Sequence, residues 1–186
     1  MGIPIILYDV PSRTVCPIAD VTIRRLADLP RIVGLKDATG DVDRVGRLRR
    51  RLGDRFVLLS GDDATQAAFR LAGGDGCISV TANVAPALCL ALQMACDRRD
   101  SAAITRLEGI LAPLHAVLFL EANPIPVKRA LYRLGLMVDG LRLPLTPLSP
   151  TAHAQLAKVL EAVARMEESE ALRIVPRRPV PRSRAA

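Results

Sequence analysis

The stretch Arg31-Ile-Val-Gly-Leu-Lys-Asp-Ala-Thr-Gly40 decides the fold. Ile32, Val33 and Leu35 make an apolar run of strand length that ends at Lys36 and breaks into a polar turn at Thr39-Gly40, where a helical pattern begins. A strand apolar on both faces belongs inside a parallel sheet. A lysine on such a strand cannot swing its ammonium into water as a surface lysine does. Burial disfavours the charged form and is expected to lower the pKa, leaving the neutral amine that attacks carbonyls. Lys36 therefore reads as a candidate Schiff-base lysine; the plainer alternative is a paired or edge lysine.

The same alternation of strand and helix extends to both sides. Residues 3–8 form an apolar strand followed by the turn-rich Asp9-Val-Pro-Ser-Arg13, and Asp20 reads as the cap of a helix with Ile23, Leu26 and Ala27 inward. Asp41 caps a helix that turns Val42, Val45, Leu48 and Leu52 inward, with the arginines at 44, 47, 49, 50 and 51 as a solvated face. Residues 56–59 and 76–80 are the third and fourth strands, ending in Ser60-Gly-Asp-Asp63 and Thr81-Ala-Asn83. Asp63 or its neighbour reads as a helix cap rather than a metal ligand. Strand ends near residues 8, 36, 60 and 80 have the period of a βα unit, and consecutive units give right-handed crossovers and a parallel sheet. Four such units fit either half of a (β/α)8 barrel or a small open sheet. In a barrel the catalytic groups stand at the C-terminal strand ends, where Tyr8, Lys36, Gly61-Asp62 and Ile78 to Thr81 all fall.

After Val84 the alternation stops, and helical patterns follow at 84–98, 101–120, 125–134 and 150–168, the last with Leu156, Val159, Leu160, Val163 and Met166 as one apolar stripe. The division expected is a half-barrel over 1–100, a helical region over 101–170 and a disordered basic tail over 171–186. Five arginines and no acid fall in 172–186, so most of the formal net charge of +7 belongs to the tail. Aromatics make up 3% of the chain, which argues against stacking on bases and so against nucleic acid as the partner. The uncharged span 76–96 contains Thr81, Asn83, Pro86 and Gln93 and splits into a strand and a helix, so no membrane segment is expected. Cysteines 16, 77, 89 and 96 show no metal spacing and read as buried free thiols in a reducing cytoplasm, and the N-terminus lacks the basic start of a signal peptide. His115 and His153 stand in separate helices, and neither receives a role.

The strand ends resemble a known family. Leu7-Tyr-Asp-Val-Pro-Ser-Arg13, Gly34-Leu-Lys-Asp-Ala-Thr-Gly40, Leu58-Leu-Ser-Gly-Asp-Asp63 and Gly76-Cys-Ile-Ser-Val-Thr-Ala-Asn83 are similar to motifs of the dihydrodipicolinate synthase (4-hydroxy-tetrahydrodipicolinate synthase) family. Asn123-Pro-Ile-Pro-Val-Lys128 and Leu141-Arg-Leu-Pro-Leu-Thr-Pro147 match its helical C-terminal part, in the same order. The resemblance implies an α/β fold: the four C-terminal βα units of a TIM (β/α)8 barrel followed by a helical appendage. It implies a lyase of class I aldolase type that condenses pyruvate with L-aspartate semialdehyde in lysine and diaminopimelate biosynthesis. Lys36 would form the imine and Tyr8 would relay protons. Arg13 would hold the semialdehyde carboxylate, and Gly61 and Ile78 would shape the pyruvate end. No cofactor and no metal are implied, and a homo-oligomer is expected.

Two departures accompany the resemblance. The family's Tyr-Asn-Val-Pro reads Tyr8-Asp-Val-Pro11 here, so an acid that could alter the loop's hydrogen bonds stands beside Tyr8. The family's first four βα units have no counterpart, and with them go its paired threonines, the tyrosine from the neighbouring subunit and the lysine feedback site. The chain thus reads as a truncated product. The alternatives are another pyruvate-dependent aldolase of N-acetylneuraminate lyase type, or an inactive fragment that acts at most as an interaction protein.

Overall fold

A computed structural model describes residues 2–174. Four strands, β1 (Ile5–Asp9), β2 (Ile32–Asp37), β3 (Val57–Ser60) and β4 (Gly76–Cys77), form one parallel sheet in the order β1-β2-β3-β4. Helices α1 (Pro11–Thr14) and α2 (Asp20–Ala27) join the first pair, α3 (Val42–Leu52) the second and α4 (Gln66–Leu71) the third. Leu35 and Leu58, neighbours in the β2–β3 register, turn to the helical side, where Ile23, Val45, Leu48 and Phe69 meet them in one buried core. Because side chains alternate along a strand, Ile6, Tyr8, Lys36 and Leu59 turn to the other side. Among the described residues no helix covers that side, and Ile6, Tyr8 and Ile78 are each nearly half exposed. The expected strand, apolar on both faces, thus has one face packed and one open.

A second core lies among α5 (Pro86–Asp97), α6 (Ser101–Val117), α7 (Ile125–Arg133) and α8 (Pro150–Ile174), built from leucines such as Leu88, Leu92, Leu111 and Leu156. It reaches back to Ala67 of α4, so the helical appendage packs directly on the last βα unit. Three local expectations are corrected. The N-cap of α2 is Ala19, because the Asp20 carboxylate is engaged by arginines of α3. The fourth strand stops at Cys77, after which the chain tightens into a 3-10 turn at Thr81–Asn83. Met166, expected in the buried stripe of the last helix, is largely exposed. Helix α8 continues to Ile174, and the rest of the basic tail expected over 171–186 lies outside the described residues. Among the described residues no helix is long and apolar enough to cross a membrane.

Candidate active site

The parallel register makes Tyr8 and Lys36 direct partners at the C-terminal ends of β1 and β2. Both side chains rise on the open face, and the Lys36 ammonium stands 4.2 Å from the centroid of the Tyr8 ring. A cation over an aromatic face is attracted by the ring quadrupole, which holds the lysine terminus above the phenol. Lys36 is half-buried rather than enclosed. Gly61, just beyond β3, closes the third side: a Cβ there would lie 2.9 Å from Lys36 Cε, 3.1 Å from its Cγ and 3.0 Å from the Ala38 Cβ. The lysine stem therefore runs against bare backbone, and only glycine leaves it that room. The Gly61 N–H donates to the Asp37 carbonyl at 2.6 Å, which extends the β2–β3 ladder past the lysine.

Arg13 and Ile78 stand at the flanks. Arg13, in the last turn of the short α1 helix after β1, donates from Nη2 to the Asn123 carbonyl at 3.0 Å, tying that loop to the entry of α7. Ile78 continues the β4 pairing through its N–H to the Ser60 carbonyl at 2.8 Å. The two acids after Gly61 divide their work. Asp62 accepts from the N–H of Thr65 at 3.0 Å and its hydroxyl at 2.6 Å, which holds the turn that leads into α4. Asp63, by contrast, is buried and accepts from the N–H groups of Val80 and Thr81 at 2.9 and 3.0 Å and from the Ser79 hydroxyl. It pins the turn after β4, so neither acid caps α4, whose N-cap is Thr65 with no side-chain cap bond, and the expected cap is corrected. Tyr8, Lys36, Gly61 and Ile78 thus share one face and end of the sheet, with Arg13 at its rim.

The opposite face of the same strand ends carries a cluster that the residue pattern concealed. Arg44, expected on a solvated helix face, is 4% exposed. Its Nη1 lies 2.7 Å from Asp9 Oδ2 and 3.2 Å from Asp37 Oδ2, its Nε lies 2.8 Å from Asp20 Oδ1, and its Nη2 donates to the Ile18 carbonyl. Burial alone would lower its pKa, but the hydrogen bonds to Asp9 and Asp20 and the charge of Asp37 raise it above the ordinary arginine value. Arg47 bridges Asp20 and Asp41, and Arg49 donates to the carbonyls of Gly53, Phe56 and Gly73. Three of the five arginines expected on a solvated face are therefore structural. Asp9 follows Tyr8 in the strand and so points the other way, and its carboxylate also accepts from the Ile18 N–H at 3.2 Å. The acid expected to disturb Tyr8 is committed behind the sheet.

His115 has a partner as well. Its Nδ1 lies 2.7 Å from the Thr81 hydroxyl, and it lines a cavity of about 430 Å³ with Asp62, Asp63, Gln66 and Glu108. Burial lowers its pKa, against the raising pull of Asp63 and Asp62. Thr81 and His115 stand far apart in the chain, and no spacing rule links them.

Residues 1–163 match the model of the dihydrodipicolinate synthetase family. A 4-hydroxy-tetrahydrodipicolinate synthase of Alcanivorax borkumensis is 49% identical over 167 residues, which is 90% of this chain and 57% of that protein. One of Thiobacillus denitrificans is 53% identical over 153 residues, 82% of this chain and 52% of that protein. Among solved structures, the dihydrodipicolinate synthase of Aquifex aeolicus superposes with a TM-score of 0.83 at 40% identity, covering 87% of this chain and 55% of its own. The chloride-inhibited enzyme of Acinetobacter baumannii, solved with pyruvate, gives 0.82 at 44% identity over 87% of this chain and 55% of its own. The chain spans about half the length of the curated relatives it matches.

Proposed function

The chain belongs to the dihydrodipicolinate synthetase family, and from that premise we propose that the open face of its sheet carries the imine-forming centre of a 4-hydroxy-tetrahydrodipicolinate synthase. The observation that carries the reading is the Lys36 ammonium held over Tyr8 with its stem against Gly61. In the neutral form Lys36 Nζ adds to the ketone carbon of pyruvate, and uptake of a proton with loss of water leaves a protonated imine. That iminium draws electrons from the adjacent methyl, which loses a proton to become an enamine. The enamine carbon then bonds to the aldehyde carbon of L-aspartate semialdehyde, and the aldehyde oxygen takes up a proton. Because the imine nitrogen is the electron sink, the sequence requires no cofactor.

Tyr8 suits the proton steps, since a phenol both donates and accepts at one oxygen. Arg13 uses one N–H on the Asn123 carbonyl and retains others of its planar fork for a substrate carboxylate. Gly61 and Ile78 border the pyruvate end. A closed pocket also needs a wall over the open face to exclude water, and in this reading a homo-oligomer supplies it. The free cysteines are in keeping with a reducing cytoplasm.

The test is pyruvate with borohydride followed by peptide mass analysis. The chain holds three lysines, 36, 128 and 158, so the other two serve as internal controls. A reduced pyruvate adduct confined to Lys36 is the expected result. Folded protein that acquires no adduct at Lys36, or acquires it equally at all three, overturns the reading.

A further inference from the structure

We propose that Arg44 is a positioning residue for the Tyr8–Lys36 pair, acting from the far side of the sheet. The inference rests on the reading of Lys36 as the imine-forming lysine. Asp9 and Asp37 immediately follow Tyr8 and Lys36, and they are partners in the same β1–β2 register. Alternation along the strands sends Tyr8 and Lys36 to the open face and their two successors behind it. There Asp9 and Asp37 are 1% and 4% exposed, on strands about 4.8 Å apart. Two buried carboxylates at that spacing repel one another and would push the strand ends apart.

One guanidinium offsets that repulsion. Arg44 Nη1 bridges the two acids at 2.7 and 3.2 Å, while Nε holds Asp20 and Nη2 holds the Ile18 carbonyl. Its planar fork thus ties β1, β2 and the start of α2 to α3. Beside the backbone ladder, each remaining contact of the two carboxylates is local to its own strand's exit: Asp37 Oδ1 accepts from the Thr39 N–H and hydroxyl, and the Asp9 carboxylate from the Ile18 N–H. Arg44 alone among these partners links the two strands. The distance from Lys36 Nζ to the Tyr8 ring depends on how those two strand ends lie side by side. Lysine at position 44 keeps the charge but presents a single point donor that cannot serve both strands, Asp20 and Ile18 together.

The experiment compares wild type, R44K and R47K. Arg47 shares Asp20 with Arg44 but touches neither Asp9 nor Asp37, so it controls for disturbance of the outer network. Lysines labelled with 13C give three ε-methylene signals, and that of Lys36 is shifted upfield by the Tyr8 ring, an assignment checked with Y8L. In folded R44K the upfield shift is expected to collapse toward the other two lysines. Pyruvate–borohydride labelling of Lys36 should slow about a hundredfold, as for misplacement on the ångström scale. R47K should keep both wild-type values. An R44K protein that is folded and retains the Lys36 shift overturns the proposal, whatever its labelling rate. If wild type forms no adduct, the imine reading fails by itself, and the shift still decides whether Arg44 sets the pair. Should R44K fail to fold in buffer, the same comparison is made in a stabilising osmolyte such as TMAO, where a folded R44K that retains the Lys36 shift overturns the proposal equally.

Discussion

Replacing Gly61 with alanine should separate reactivity from stability. The added Cβ would sit 2.9 Å from Lys36 Cε and 3.1 Å from its Cγ, where carbon atoms prefer about 3.5–4.0 Å. The Ala38 Cβ, at 3.0 Å, is fixed to backbone and cannot turn aside, so the flexible lysine stem yields. A displacement of about 0.5–1 Å follows, away from β3 and out of the position in which the Tyr8 ring now holds the ammonium. The stability cost belongs at the low end of overpacking, about 1 kcal/mol, because a half-buried side chain can move into open space. The cost to imine formation is larger, about a hundredfold in rate, because misplacement on this scale removes near-attack geometry. Pyruvate–borohydride labelling of Lys36 and urea unfolding of the same G61A sample measure the two effects. Gly74→Ala is the contrast. There the added carbon overlaps the ring of Phe69 in the sheet core, so G74A should lose about 1–3 kcal/mol while its folded fraction labels normally. G61A protein that labels Lys36 at the wild-type rate would refute the claim that Gly61 exists to admit the lysine.

Three further expectations concern titration and thiols. Burial holds His115 below the ordinary histidine value, so the folded chain favours the neutral ring; stability from this source is complete above about pH 6.5 and is lost as pH falls below it. H115Q should flatten the fall in urea midpoint between about pH 7.5 and 5.5, and an equal slope in both proteins would count against the buried Thr81–His115 contact. Asp41, hydrogen-bonded by Arg47, is held below the usual carboxylate range; so is Asp20, where the bonds from Arg44 and Arg47 outweigh burial. Their contribution is present above about pH 4 and disappears as pH falls through the lowered values, so D41N should lose less stability than wild type on acidification in that range. Burial, with Asp63 nearby, pushes the thiols of Cys77 and Cys89 up to about 12, whereas Cys16, expected to be buried like the others, is exposed. Iodoacetamide near pH 8 should therefore alkylate Cys16 well ahead of those two, since only the thiolate reacts.

The order of strands and helices was legible in the residues because each apolar run has the length of its element and ends in turn chemistry. The same patterns placed Tyr8, Lys36, Gly61 and Ile78 at the ends of strands, and parallel strands in sequential order bring such ends together. Two things blurred the reading. The strand after Gly74 ends two residues in, because Asp63 seizes the N–H groups of Val80 and Thr81 and draws that segment into a turn. The arginines of α3 look alike in a list of residues, yet Arg44 is buried and Arg47 partly exposed.

What the sequence by itself determined was the succession of βα units, the family and the identity of the candidate lysine. Each of these rests on neighbours along the chain, through apolar periodicity, caps and motif spacing. Only the tertiary structure decided which side chains share a face and which partners meet across it. Asp9 and Asp37 acquire a common counter-ion, Thr81 meets His115, and Gly61 becomes a surface for Lys36 only once helices pack and strands align. The physical reason is that alternation along a strand divides adjacent residues between two environments. Lys36 and Asp37 are neighbours in sequence, and the sheet between them makes one a candidate for chemistry and the other part of the scaffold that aims it.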